Sequence, residues 1–221
     1  MDQAIGILSR PQTPKHHAFT NQATVIQQDN VLAQTFSTTG EDAFLAPAAY
    51  SNNRGSWVHV FPEGLVHQHP QNTLRYFRCG ISRLILESTP APDIVPMFID
   101  GTQHIMPEDR TWPRFAPRIG AKVHVAFGDP IDVDRVFGAQ IQEWRALMSP
   151  KSPLPKDAIE VEATALRIEV AKRMRDEVVK VRRSLGYPEM DEKLGLAKTW
   201  AKEPPHDRFK SPVDGSIVRR D

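Results

Sequence analysis

Cysteine is almost absent from this chain: Cys79 stands alone, which excludes an internal disulfide framework and is compatible with a reducing compartment. No stretch approaches the ~20 apolar residues that a membrane-spanning helix requires, so contact with a bilayer is expected to be interfacial. Neither sign of charge prevails, with 28 Lys and Arg against 27 Asp and Glu, and nothing in that balance calls for nucleic acid as a partner. No internal repeat is found. Residues Met1 to Leu8 have neither the basic start and apolar core of a secretory signal nor the Arg-rich character of a transit peptide. They read as a helix-like stub from the interior of a domain, so the expectation is a chain truncated at its N-terminal side.

What remains is the composition of a globular protein: 221 residues, 40% hydrophobic and 25% charged, enough to bury one core of ordinary size. Nineteen prolines punctuate the loops between periodic segments. Ala23-Thr24-Val25-Ile26 is a brief apolar alternation, and residues 37–55 lack any period, which predicts a long surface loop. The apolar run Trp57-Val58-His59-Val60-Phe61 reads as a short strand that Pro62 stops by removing a backbone donor. Glu63 and Gly64 then fall just beyond the strand, where a carboxylate and bare backbone can approach a ligand together. Taken alone, such a Pro-Glu-Gly turn is an ordinary turn.

A helix is predicted from Asn72 to Ser88, with Leu74, Phe77, Ile81, Leu84 and Ile85 on one face and Arg75, Arg78 and Arg83 spread over the remainder. Asp93 to Ile99 reads as an irregular strand because of Pro96, Gly101 to Gly120 as a loop with an exposed Trp112, and Ala121 to Phe127 as a half-buried strand facing inward through Val123, Val125 and Phe127. Helices follow over Val133 to Met148 and Lys156 to Leu185. The second is acidic first and basic last, as the helix dipole favours. Its apolar stripe suits either packing on the core or a membrane surface. This order of elements predicts an α/β fold with a small, mostly parallel sheet, flanking helices and a long C-terminal helix. The expected divisions are residues 1–148, then a linker and amphipathic helix over 149–187, then a polar mobile tail over 188–221.

Several residue pairs invite a chemical reading. His104 and Asp109 have a His-x4-Asp spacing that could activate a hydroxyl, but with eight histidines in the chain it is read as a chance match. His124 and Asp129 share the spacing, yet on a strand and its turn they would point apart. His67 and His69 are read as a solvated pair rather than metal ligands. The arginines of the 72–88 segment and of the loop before Gly120 suit a phosphate through paired hydrogen bonds, or simply form a solvated face.

The series Phe61-Pro62-Glu63-Gly64, Leu74-Arg75-Tyr76-Phe77-Arg78-Cys79-Gly80-Ile81-Ser82-Arg83-Leu84-Ile85, Ile94-Val95-Pro96-Met97 and Pro113-Arg114-Phe115 to Gly128-Asp129-Pro130-Ile131 resembles the phospholipid/glycerol acyltransferase family over about a third of the chain. That resemblance implies a glycerol-3-phosphate acyltransferase-like fold, incomplete here, with residues 1–148 as a partial acyltransferase domain. It implies acyl transfer between a phospholipid and a lysophospholipid at a membrane surface, with cardiolipin and monolysocardiolipin as substrates and mitochondria as the setting. No metal or nucleotide cofactor is implied. It further implies that Phe61, Pro62, Glu63 and Gly64 shape the headgroup site and that Arg78 and Arg83 contact phosphate. The family's catalytic His-x4-Asp precedes the Phe-Pro-Glu-Gly element, whereas here His16 is followed five residues on by Asn21 and His17 by Gln22. By resemblance, then, the catalytic pair is missing, and the alternatives are an inactive lipid- or protein-binding fragment or an acyl-CoA-dependent acyltransferase.

Overall fold

The computed structural model describes residues 57–113, 115–150 and 152–220, with Ala4, Ile5 and Leu8, which are helical, and the backbone of Thr35–Phe36 and Phe44–Leu45. The alternation at Ala23 to Ile26 and Arg114 lie outside the described residues. The chain divides into two compact units, residues 1–59 with 83–92, and residues 60–82 with 93–221. In the first, strand β1 (Thr35–Phe36) pairs antiparallel with β2 (Phe44–Leu45), which falls inside the expected 37–55 loop.

In the second unit β3 (Val66–Gln68), β4 (Met97–Asp100), β5 (His124–Phe127), β6 (Arg208–Lys210) and β7 (Ile217–Arg219) form two small sheets. One has the order β3-β7-β6 and the other pairs β4 with β5. Every strand pairing among the described residues is antiparallel, so the mostly parallel sheet is not found there. The composition of helices and strands is mixed α/β as expected. Helices α1 (Gly80–Glu87), α2 (Thr102–Ile105), α3 (Val133–Leu147) and α4 (Lys156–Ser184) complete the regular elements, with 3-10 turns at Glu192–Gly195 and Ala197–Lys202.

The core of this unit lies where α4 packs on α3 and β4. Ala163, Leu166, Val170, Met174, Val178 and Val181 bury the α4 stripe, facing a core that includes Phe98, Phe137, Ile141 and Trp144. Asp132 caps α3, its Oδ1 accepting from the Arg135 amide at 3.1 Å. The stripe of α4 thus packs on its own domain. Arg175 and Arg182, in its basic half, are buried with it.

Those two arginines explain the main helical misreading. Arg175 donates to the carbonyls of Leu74 and Arg75, both at 2.8 Å, and Arg182 to those of Gln71 and Asn72, both at 2.9 Å. A helix begun at Asn72 would need these carbonyls for its own amides. With the guanidinium groups holding them, residues 72–77 run irregularly, Asn72 takes φ +48°, and the helix begins only at Gly80.

Two strand readings also shift. Trp57 to Phe61 forms no strand among the described residues, and Trp57 and Phe61 are 88% and 69% exposed; the strand forms beyond the turn, at Val66–Gln68. On β5 the faces are reversed. Ala126 sits opposite the buried Phe98 of β4, and cross-strand neighbours share a face, so Val125 and Phe127 point away from the core. The segment after Pro188 is the largest correction. Rather than a mobile tail, it carries the buried Trp200 and places β7 between β3 and β6, with Val218 fully buried.

Candidate functional site

Phe61, Pro62, Glu63 and Gly64 make a tight turn in which the Gly64 amide donates to the Phe61 carbonyl at 3.1 Å. Gly64 has φ +62°, and a Cβ there would lie 2.9 Å from Cδ and Nε of Arg78. Glycine suits the left-handed backbone there, and its missing Cβ leaves room for the passing Arg78 side chain. The Arg78 amide closes the loop by donating to the Pro62 carbonyl at 2.8 Å. Its side chain is exposed, and among the described residues nothing pairs with its guanidinium.

Glu63 turns inward. Its Oε2 accepts from the Arg75 amide at 3.4 Å and lies 3.7 Å from Nδ1 of His67. On the other side of the ring, Nε2 of His67 donates to Oδ2 of Asp214 at 3.0 Å. Asp214 also accepts from the Ser216 hydroxyl at 2.6 Å and amide at 3.0 Å, and from the Thr73 hydroxyl at 3.4 Å. The His67 side chain is only 2% exposed, so the solvated pair expected of His67 and His69 is corrected: His67 sits in a carboxylate–imidazole–carboxylate row. Among the described residues, no group of three or more His, Cys, Asp or Glu is placed to hold a metal ion.

Beside this row, Arg75 and Glu203 form a buried ion pair, with Nη1 of Arg75 donating to Oε1 of Glu203 at 2.8 Å. The guanidinium lies 3.7 Å above the Trp200 ring, and Ser211 donates to the same carboxylate. Arg220 approaches Glu203 at 3.5 Å and donates to the Pro204 carbonyl at 2.8 Å. A cleft of about 260 Å3 opens here, lined in part by Arg75, Tyr76, Arg78, Trp200, Glu203 and Arg220.

The three carboxyls are tuned in opposite directions. Burial pushes Glu63 up, against the opposing pull of His67 and the Arg75 amide. Burial would also raise Asp214, but its bonds from His67 and Ser216 outweigh that and hold it well below the usual carboxylate range. Glu203 is likewise lowered, with burial overcome by Arg75, Ser211 and Arg220. A lowered folded pKa contributes stability that is whole above the unfolded value and lost as pH falls through the folded one. The raised Glu63 works the other way, gaining stability as it takes up its proton. The urea midpoint, followed through tryptophan fluorescence, is therefore expected to hold or rise slightly from pH 7 to about 5 and to fall below about pH 4. A midpoint unchanged down to about pH 3 would contradict these assignments.

The remaining candidates lie elsewhere. Arg83 belongs to the other unit, where its Nε and Nη2 each donate to Glu87 at 2.8 Å. His104 and Asp109 are both exposed, and no hydrogen bond or ion pair joins them. Sequence reasoning missed Asp214, Trp200, Glu203 and Arg220. One signal was present: Asp214-Gly215 between Arg208-Phe209-Lys210 and Ile217-Val218-Arg219 is a hairpin pattern. Nothing local marks Glu203 as a partner of Arg75, 128 residues away.

No family model matches the chain. It is 30% identical to tafazzin of Saccharomyces cerevisiae over 212 residues, covering 88% of this chain and 55% of that protein. It is 34% identical over 95 residues to the taffazin of Dictyostelium discoideum, covering 41% of this chain and 32% of the relative. A match of 34% identity over 82 residues is found with N-acylphosphatidylethanolamine synthase of Arabidopsis thaliana, covering 36% of this chain and 28% of the relative. The chain therefore spans about half the length of the yeast relative and about a third of the others.

Proposed function

Because the chain is a homologue of the tafazzins, we propose that it carries the headgroup-binding part of a phospholipid–lysophospholipid transacylase, with cardiolipin and its lyso form as substrates at a mitochondrial membrane surface. The observation that carries this reading is the Phe61–Gly64 turn. It holds the largely buried carboxyl of Glu63 on its inner side and passes, at Gly64, the exposed Arg78, whose guanidinium has no partner among the described residues, in a chain aligned with yeast tafazzin over most of its length. Glu63 shapes the turn from its inner side, through the Arg75 amide and His67, and Arg78 suits the phosphate. Arg83 is left out, since Glu87 occupies two of its donors. Among the described residues no helix is long and apolar enough to cross a membrane.

A second reading is binding of the headgroup without transfer. Labelled lysophospholipid and phosphatidylcholine vesicles separate the two. The chain alone is expected to leave transfer at background, and the chain joined to a family segment bearing His-x4-Asp is expected to raise it, without added acyl-CoA. If the joined chain binds vesicles yet never transfers while a complete tafazzin does, the binding-only reading stands. Transfer that appears only on adding acyl-CoA would make the protein an acyl-CoA-dependent enzyme.

A further inference from the structure

We propose that the segment after Pro188 supplies the second wall of an anion site that Arg78 begins, with Arg220 as its second cationic contact and a glycerophosphate head as its ligand. The proposal rests on the headgroup reading above and extends it to residues that lie outside the resembling motifs.

Charge in the cleft is unbalanced. Three guanidinium groups, of Arg75, Arg78 and Arg220, face one carboxylate, Glu203. Arg75 donates through both Nη atoms to the two carboxylate oxygens of Glu203 and lies over Trp200, so that ion pair is neutral and forms the floor. The excess positive charge then belongs to Arg78 on one wall and Arg220 on the other. Arg220 is held in place before any ligand arrives, whereas the head of Arg78 is open to pair. The stem of Arg78 lies against the bare backbone of Gly64. Arg220 is held by the Pro204 carbonyl, by Glu203 and by the Phe209 ring, 4.8 Å from its Cζ, and its side chain remains 32% exposed. Two guanidinium groups lining one small cleft are the donor set that a phosphate prefers.

Size narrows the ligand. At about 260 Å3 the cleft is smaller than the ~300–1,000 Å3 of sites that enclose drug-sized molecules, so it takes a small polar head and leaves acyl chains outside. The second wall is tied to the first through β3 and β7, and through the bond from His67 to Asp214. The segment after Pro188 therefore closes the cleft around a phosphate ester of glycerol, either free or as the head of a lysophospholipid.

The test is equilibrium binding of sn-glycerol 3-phosphate and inorganic phosphate, and of lysophosphatidic acid in phosphatidylcholine vesicles, to the full chain and to Arg78→Gln, Arg220→Gln and Arg220→Lys. Each glutamine variant is expected to weaken phosphate-ester binding at least about tenfold, the loss of one charge-assisted hydrogen bond. Arg220→Lys is expected to keep part of the affinity, and thermal midpoints identify any variant that has lost its fold. Binding to vesicles but not to free glycerol phosphate, with the same dependence on both arginines, makes the ligand a lipid head. Binding that falls in Arg78→Gln but not in folded Arg220→Gln overturns this inference and leaves the headgroup reading intact. Absence of phosphate-ester binding in every form, free and vesicle-borne, overturns both.

Discussion

Replacing Arg182 by methionine is expected to lower stability by about 3 kcal/mol, measured as a loss of unfolding free energy in urea. The side chain is only 1% exposed and donates to three backbone carbonyls, those of Gln71 and Asn72 at 2.9 Å and of Pro188 at 2.6 Å. Methionine fills the volume but donates nothing, so three carbonyls lose their partner at about 1 kcal/mol or more each. The guanidinium also lies 5.0 Å from the centre of the Tyr187 ring. The same substitution at Arg175 removes donors from two carbonyls and should cost less. The order of the two variants matters as much as the size. A loss below about 0.5 kcal/mol for Arg182→Met would mean that residues 71–75 hold their path without the clamp.

The second large effect is expected at Arg75. Arg75→Ala should destabilise the fold by about 3–5 kcal/mol, because it leaves Glu203 buried with its principal counter-charge gone. Ser211 and the more distant Arg220 would remain beside that carboxylate. The packing of the guanidinium on Trp200 is lost as well, which makes tryptophan fluorescence a local reporter. Breaking one partner of a buried pair costs far more than replacing both. Arg75→Met combined with Glu203→Gln should therefore be markedly more stable than Arg75→Ala alone. If the double variant is no better, the cost belongs to lost packing rather than to the stranded charge.

Both expectations turn on arginines that periodicity would place on a solvated face. Arg75 was assigned to the circumference of a helix that does not form there, and Arg182 to the basic end of α4, which does. The pattern along α4 was legible because an apolar residue recurs every three or four positions and the segment is long enough for packing to follow the period. Its length and the register of its buried stripe agree with the sequence to within a residue. The same rule failed over residues 72–79, where a competing demand for backbone carbonyls came from arginines about a hundred positions away.

The candidate site divides along the same line. The turn at Phe61–Gly64 was visible because Pro and Gly impose their geometry locally, whatever surrounds them. The sequence by itself thus determined the long helices, the position of the turn and the lack of a disulfide framework. Only the tertiary structure decided that His67 lies between Glu63 and Asp214, that Glu203 neutralises Arg75, and that the polar segment after Pro188 lines the cleft. The physical reason is range. Periodicity and turn chemistry act over a few residues, whereas the partners of a buried charge are selected by desolvation and drawn from wherever the fold brings an opposite charge near.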